Sequence, residues 1–312
     1  MAVLEYLGEQ VIASLRQMHP LPNNLATGST DAEVLKAVNE AMRLVIIPRT
    51  MKTKEEYFVH SVRLPLVDGQ SRYRIPHRAM YQKIRRLFLV DGSGNRWKLT
   101  RKHSEDLDES TTIGRVGNYY FEGNDIVLFD GTTSGYSFLE VSYFFRPGDL
   151  QLSTAARKVL TVNTGTKAVT FSAAIPSTWS TSTVFDVHSG QSGAEIKQYD
   201  ILGSVVSGSG ITFVPAIDGS VFGTKKIEIG DWVSVSEEAA LPGLPRELHP
   251  IIARTTALHF AESLGDQAMV NIHAELLKAA LADGLGAMET RNESQPEIIT
   301  GKRGILWAGR RW

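Results

Sequence analysis

Histidine is the side chain in this sequence best suited to bind a metal or to transfer a proton near neutral pH. No pair among the eight histidines has the spacing of metal ligands on one helix face, such as H-x-x-x-H. His259 lies beside an apolar helical stripe, and we interpret it as a structural or surface residue. We expect no metal site in the chain, whose histidines are His19, His60, His77, His103, His188, His249, His259 and His273.

Other catalytic patterns are equally weak. The acidic run Glu105, Asp106, Asp108, Glu109 favours a solvated loop or a single helical turn over an acid/base pair. The glycines at 190–193 and 203–210 lack the flanks of a phosphate-binding loop, and no Gly-x-Ser-x-Gly motif occurs. Cysteine is absent, which excludes thiolate sites and cysteine nucleophiles. We therefore predict that the protein is not an enzyme and that it uses no cofactor.

Basic residues are concentrated between positions 72 and 102, with Tyr73 and Tyr81 among them. Such a cluster is typical of nucleic-acid binding, but alternating charges also occur on the outer face of hairpins and at subunit contacts. Both interpretations stay open at this point. The cluster consists of Arg72, Arg74, His77, Arg78, Lys83, Arg85, Arg86, Arg96, Lys98, Arg101 and Lys102.

Length and composition are those of a globular protein. The 312 residues correspond to about two domains. The formal net charge of −1 gives no global basic field for gripping nucleic acid. The apolar runs are too short to cross a membrane, and the N-terminus lacks the pattern of a signal peptide. We expect folding in the cytoplasm and no membrane association.

Both ends of the sequence have the periodicity of amphipathic helices. Residues 3–18 and 30–47 form two candidate helices, of which the second begins with a capping box at Thr30 and ends before Pro48. Residues 244–265 and 266–289 form two more, joined by a Gly-Asp turn. Because neither pair can bury its apolar stripe alone, we predict that 1–56 and 244–290 pack together as a discontinuous helical bundle.

The middle of the chain changes to β periodicity. A first β block at 57–150 contains hairpin signals at Asp68-Gly69, Asp91 to Gly94 and Gly123-Asn124. A second block at 151–243 has short strands, the last expected at 227–235, and many Ser, Thr and Gly turns. We therefore predict an α+β fold in which a large antiparallel β insertion, with a barrel-like or sandwich-like second block, emerges from the helical bundle.

The last segment, 291–312, has no means of forming a core. It carries Ile305, Leu306, Trp307 and Trp312 among basic residues, an unusual amount of apolar surface for a chain end. One interpretation is a frayed terminus. The other is an extended C-terminal arm that orders only on a partner.

Several motifs together resemble a known family. These are the early helix Thr30 to Ile47, Tyr73 to Ala79, Ile84 to Asn95, Tyr119 to Asn124, Val141 to Pro147, and Leu244 to Pro250 with the helix hairpin that follows it. They resemble the head-to-tail adaptor, or neck, proteins of tailed bacteriophages.

The resemblance implies a structural virion protein that forms a homo-oligomeric, typically dodecameric, ring between the portal and the tail. Genomic DNA would pass through the ring without sequence-specific binding, and tail nozzle, tube or fibre proteins would be further partners. Assembly would take place in the host cytoplasm. The arm, roughly 296–312, would dock on the portal protein through Lys302, Arg303, Ile305, Leu306, Trp307, Arg310, Arg311 and Trp312.

A second class of function remains open. A β-rich carbohydrate-binding or receptor-binding tail module would need exposed aromatic side chains as a sugar platform. Trp179, Tyr199 and Trp232 are the candidates, although Trp232 alternates with Val233 and Val235 in the manner of a core residue. An enzyme is a third choice that no group of residues supports.

Overall fold

The fold is described from a computed structural model, in residues 6–18, 30–102, 117–129, 135–191 and 195–289. Helices α1 (Gly8–Met18), α2 (Asp31–Ala41) and α3 (Ile47–Thr53) precede the β-structure. Helices α4 (His249–Leu264) and α5 (Gln267–Glu289) follow it. Together with the strands, these helices confirm the predicted mixed α and β class. None of the described helices combines the length and apolar composition needed to cross a membrane.

The helix ends are fixed by side chains that the sequence already indicates. The Thr30 hydroxyl accepts the Glu33 N–H, and the Glu33 carboxylate accepts the Thr30 N–H at 2.9 Å, so the predicted capping box is present. Helix α4 ends at Gly265, whose φ of 71° is left-handed. Asp266 then accepts the Met269 N–H at 3.1 Å at the start of α5.

The prediction that the second helix ends before Pro48 was wrong. A π-helical segment, Met42–Ile46, joins α2 directly to α3, and Pro48 lies in the first turn of α3. Proline lacks an N–H and its ring clashes with the carbonyl four residues earlier in a regular α-helix. In the wider π turn, the N–H of the Ile47 cap bonds to the carbonyl of Met42, five residues back. The helical path therefore continues past the proline.

Two four-stranded sheets pack face to face as a sandwich in the first β block. One has the strand order β1-β8-β3-β4 and the other β2-β7-β6-β5. Leu87, Leu139 and Val141 of the first sheet meet Tyr73 and Ile126 of the second in one core. The strands are β1 (Val59–Pro65), β2 (Arg72–Arg74), β3 (Ala79–Val90), β4 (Arg96–Lys98), β5 (Thr100–Arg101), β6 (Asn118–Glu122), β7 (Asp125–Leu128) and β8 (Phe138–Phe145).

Two of the three expected hairpins are present. The Asp91 to Gly94 turn joins β3 to β4, and the Gly123-Asn124 turn joins β6 to β7. The hairpin expected at Asp68-Gly69 is wrong, because β1 pairs with β8 and β2 pairs with β7 in the other sheet. Gly69 does adopt a left-handed φ of 78°, but the turn carries the chain between sheets. A turn motif specifies local geometry and not the partner of the following strand.

The second β block contains a closed barrel with the strand order β10-β11-β14-β13-β12-β15, which confirms the barrel prediction. Its interior is apolar and includes Phe185, Ile211 and Phe213. The strand expected at 227–235 begins only at Trp232, because Asp231 accepts the Glu228 N–H in a turn. The strands are β10 (Arg157–Asn163), β11 (Ala168–Phe171), β12 (Val184–His188), β13 (Ile196–Ser207), β14 (Gly210–Phe213) and β15 (Trp232–Val235).

The helices from both ends of the chain contribute to a single hydrophobic cluster. Val11, Val38, Ile252 and Leu277 belong to it, and so does Phe144 of the first sheet. Short parallel strands β9 (Asp149–Leu150) and β16 (Glu238–Ala239) join the segments that lead into and out of the barrel. The helices therefore pack on one another and on the end of the sandwich.

Gly8 gives a sharp test of the contact between α1 and the segment after β9. A Cβ on Gly8 would lie 2.5 Å from the backbone carbonyl oxygen of Gln151, whereas a Cβ on Gly286 in α5 would have nothing within 4 Å. We expect Gly8→Ala to destabilise the fold by about 1–3 kcal/mol through overpacking. Gly286→Ala, the matched control, should be neutral or stabilise by up to about 1 kcal/mol. Urea unfolding measures both, and equal effects would contradict the close approach.

Candidate functional site

The basic cluster of residues 72–102 does not form one cationic surface. Arg72 pairs with Glu122, Arg85 with Glu55 and Arg96 with Glu140. His77 lies 3.2 Å from Asp200 of the barrel. Arg78 is only 1% exposed and is thus a core residue of the sandwich–barrel junction. Several side chains of the basic cluster therefore pair with carboxylates of the same protomer or lie in its core.

Arg78 is the centre of a buried polar network, hereafter the docking network, formed with Asp186, Asp200 and Ser236. Its guanidinium donates to the Asp186 carboxylate at 2.9 Å and to the Ser236 hydroxyl at 3.4 Å, and it lies 4.7 Å from the centre of the Phe145 ring. The Ser236 hydroxyl donates to Asp200. The network thus joins the sandwich to three segments of the barrel region.

Local strand geometry explains why Asp186 faces this junction. In β12 the neighbouring Phe185 and Val187 point into the barrel core, so Asp186 must point outward. Its carboxylate accepts the backbone N–H groups of Asp200 at 3.0 Å and Glu237 at 3.1 Å. Both of these residues have left-handed backbones, with φ of 53° and 69°. Two of the five non-glycine residues with positive φ in the described part of the chain therefore donate to Asp186.

Burial raises the pKa of Asp186 to about 6, while the Arg78 charge acts in the opposite direction. The carboxylate is therefore charged at neutral pH only because the guanidinium and two N–H groups compensate for lost solvation. Asp186 is not among the functional residues predicted from the sequence. A single charged residue in the middle of an apolar strand, as in Val184-Phe185-Asp186-Val187, is the signal that would have found it.

A second contact docks the barrel on the outer face of the first sheet. Phe222, in the segment between β14 and β15, packs against Arg63, whose guanidinium lies 3.9 Å from the ring centre. Arg63 also donates to Glu140 at 3.1 Å. Gly223 has a φ of 79° and approaches the Ser61 carbonyl so closely that a Cβ would overlap it. The barrel is thus held at two separate places on the sandwich.

A cavity of about 380 Å³ lies between these elements and is lined by His60, His188, Lys225 and Glu195, among others. Burial lowers the pKa of His60 and of His188 to about 4 in each case, so both rings are neutral at physiological pH. Lys225 is ion-paired with Glu195. No group of three or more His, Cys, Asp or Glu side chains within the described ranges is arranged to hold a metal.

The aromatic residues proposed as a sugar platform do not form an exposed surface, because the two tryptophans are buried and Tyr199 is half-buried. Trp179 is 6% exposed and Trp232 is 7% exposed, and both belong to hydrophobic clusters. Tyr199 packs against His60 and accepts the Tyr143 hydroxyl at 2.8 Å. The interpretation of Trp232 as a core residue is confirmed. The carbohydrate-binding alternative needed these three residues as an exposed aromatic platform, and they do not form one.

The helices expose several large apolar side chains. Leu44 in the π-helical segment is 76% exposed and borders a groove of about 230 Å³ that Leu258 and Leu277 also line. Leu264, at the end of α4, is 63% exposed. Ile272 and Leu276 are one turn apart on α5 and are also exposed. We call Leu264, Ile272 and Leu276 the helical ridge.

The predicted portal-binding residues lie outside the described residues. They are Lys302, Arg303, Ile305, Leu306, Trp307, Arg310, Arg311 and Trp312, and the whole arm at 291–312 is among the positions not described, as is the acidic run at 105–109. Their roles stay predictions.

The docking network can be tested by removing one member. Arg78→Met leaves the Asp186 charge buried without its partner, and we expect it to destabilise the protein by about 3–5 kcal/mol. Arg72→Gln, which breaks the exposed pair with Glu122, should leave the stability nearly unchanged. Arg78→Met combined with Asp186→Asn should cost less than the sum of the two single changes. Urea unfolding measures each value, and similar losses for Arg78→Met and Arg72→Gln would refute the network.

His188 provides a test with pH. The pKa of His188 is about 4 in the folded chain against 6.5 unfolded, so its contribution to stability is complete above pH 6.5 and falls as the pH drops toward 4. Asp186 acts in the opposite sense between about 6 and 3.8, because there the folded chain binds the proton more tightly. We expect His188→Gln to lose about 2 kcal/mol less stability than wild type between pH 7 and pH 5.

The control is His259→Gln, which alters an exposed histidine on α4 and should leave the pH dependence unchanged. Urea midpoints at the two pH values suffice. If wild type and His188→Gln lose the same stability between pH 7 and pH 5, the His188 ring is not held neutral in the fold.

Comparison with known proteins agrees with the predicted class. No curated protein matches the chain. The chain does match the SU10 adaptor protein family over residues 3–164, just over half of its length. The matched range contains the N-terminal helices, the whole sandwich and the first barrel strand. The chain therefore belongs to the SU10 adaptor protein family and is a phage adaptor-type structural protein.

Proposed function

We propose that this protein forms a ring between the phage portal and the tail, that it lines the DNA passage, and that its C-terminal arm docks on the portal. In this proposal the helices at the two ends of the chain form the ring-building bundle. The barrel, fixed on the sandwich, faces tail nozzle, tube or fibre proteins. Family membership supports the structural class, and the exposed helical surface supports assembly with further copies.

The observation that carries the proposal is the set of apolar side chains that one protomer leaves exposed on its helices. The helical ridge projects from α4 and α5, while Leu44 borders a groove whose floor contains Leu277. Complete burial of a leucine or isoleucine side chain stabilises an interface by roughly 1.5–3 kcal/mol. A heterologous contact, in which different surfaces of neighbouring copies meet, closes into a ring when the rotation between copies allows it.

The charges around the groove are consistent with a protein neighbour. Glu40, Glu262 and Arg49 border the apolar floor. An apolar centre with a charged rim is the usual composition of a protein–protein interface. The dodecameric stoichiometry follows from the family resemblance and is part of the proposal.

The arm provides the portal contact in this proposal. Residues 296–312 combine the two tryptophans Trp307 and Trp312 with four basic residues, Lys302, Arg303, Arg310 and Arg311. Tryptophan and arginine are the side chains that contribute most to binding energy at interfaces. The arm can therefore bind a partner without a core of its own.

The test mixes the protein with its purified portal and examines the product by electron microscopy. We expect wild type to add a ring to the portal, and a chain lacking Pro296–Trp312 to keep its melting temperature and lose docking. A full-length variant with Ile305, Leu306, Trp307 and Trp312 all changed to Ser should behave like the truncation, which separates the effect of composition from that of length. A truncated chain that still docks would refute the arm's role.

A second variant addresses ring formation. Ile272→Ser with Leu276→Ser should reduce ring closure on the portal without lowering the melting temperature, because both side chains are exposed in the protomer. Val67→Ser with Val205→Ser removes two exposed apolar side chains from the β domains and is the matched control. Equal effects of the two double variants would exclude the helical ridge as the contact between copies.

A further inference from the structure

Four basic side chains lie on one face of the first sheet, although they are far apart in sequence. Arg63 on β1 and Phe88 on β3 both stand opposite Glu140 of β8, and Phe88 also stands opposite Lys98 of β4. Arg86 lies two residues before Phe88, and Arg96 two residues before Lys98. Because side chains two residues apart share a sheet face, these positions form one surface. We call it the basic sheet face: Arg63, Arg86, Arg96 and Lys98.

The carboxylates on this face do not balance its cations. Glu140 is the one carboxylate among the strand positions of this face, and it is 2% exposed. It lies 3.1 Å from the Arg63 Nε atom and 3.3 Å from the Arg96 guanidinium. Arg86 and Lys98 are exposed and form no ion pair within the described part of the chain. The face therefore carries an excess of positive charge at its outer side.

The geometry separates the two unpaired cations by a fixed distance. Arg86 and Lys98 occupy diagonal positions on the adjacent strands β3 and β4, which places their Cα atoms roughly 7–8 Å apart. The other side of the same sheet is buried in the sandwich core, and the barrel contact through Phe222 holds Arg63. Arg86 and Lys98 therefore lie on strands whose backbone is held by the sandwich core, and not on loops.

We propose that the basic sheet face contacts the phosphodiester backbone of duplex DNA through Arg86 and Lys98, its two exposed cations that are not bound to Glu140 or Phe222. The inference deepens the proposed function, since it assigns the surface that meets DNA in the passage, and it rests on that function for its biological context. Duplex DNA offers one negative charge per roughly 1.7 Å of helix axis, so cations in a row find phosphates whatever the base sequence.

The composition of the face favours nucleic acid over an acidic protein. A protein interface needs an apolar centre. Here the centre contains Glu140 and the hydroxyls of Ser61 and Ser142, which bond to each other at 2.7 Å. The apolar side chains of the face offer little exposed surface, because Val90 is buried and Phe88 and Phe138 are half-buried. Charge without an apolar centre gives weak contacts that depend on salt, which suits a surface past which DNA must move.

The test measures binding of a short fluorescent duplex DNA of mixed sequence by anisotropy, with the full chain, between about 50 and 200 mM NaCl. We expect weak binding, with a Kd of roughly 10⁻⁴ to 10⁻⁶ M at physiological salt. In a plot of log affinity against log salt concentration, Arg86→Gln with Lys98→Gln should reduce the magnitude of the slope by about 2. The control Lys36→Gln with Lys278→Gln makes the same change in net charge at exposed positions of α2 and α5 and should leave the slope unchanged.

Three results would overturn the inference. One is wild-type protein that does not bind DNA, and another is a sheet-face variant whose slope equals that of wild type or of the control variant. The third is binding to poly-glutamate, but not to DNA, that Arg86→Gln with Lys98→Gln abolishes, because this would assign the face to an acidic protein. Portal docking of wild type and of the same variant is measured in parallel. Wild-type protein that docks on the portal but does not bind DNA refutes this inference alone, whereas wild-type protein that binds DNA but does not dock refutes the proposed ring function alone.

Discussion

The buried ion pair between Arg78 and Asp186 is the contact on which the arrangement of the domains depends. Removing both charges from water costs several kcal/mol per ion. Two backbone N–H groups donate to the Asp186 carboxylate and the Ser236 hydroxyl accepts from Arg78, which offset part of that cost, whereas the buried Arg78 Nε atom has no hydrogen-bond partner among the described residues. Such a contact tolerates little displacement of either partner. The barrel therefore has one preferred orientation on the sandwich, which an apolar contact of the same area would define less strictly.

The second contact, at Phe222, depends on the first sheet in a similar way. Arg63 binds Glu140 with its Nε atom and stacks on Phe222 with its planar face, so one side chain joins the sheet to the barrel. Arg96 approaches the same carboxylate. The Glu140 carboxylate thus positions the Arg63 guanidinium against the Phe222 ring of the barrel region.

The sequence predicted local features well and long-range pairing poorly. The Thr30 capping box, the Gly265 helix end and the Asp91 to Gly94 hairpin are set by residues within a few positions of one another. The chain passes from one sheet to the other at Asp68-Gly69 because β1 pairs with β8 and β2 pairs with β7. The burial of Arg78 depends on Asp186, which lies 108 residues away in sequence, so no local pattern indicates it. The continuation of the helix past Pro48 depends on a π turn that helix propensity does not specify. The barrel class was predictable from its short strands and dense turns, whereas its two docking contacts were not.

The closed barrel has a consequence for solubility. Strands at the edge of an open sheet present unpaired N–H and C=O groups, which can pair with another copy and start aggregation. In the barrel, β10 pairs with both β11 and β15, so the ring of hydrogen bonds is continuous and leaves no such edge. Where copies of this chain lie side by side, their barrels cannot join strand to strand, so a contact between two barrels depends on their side chains.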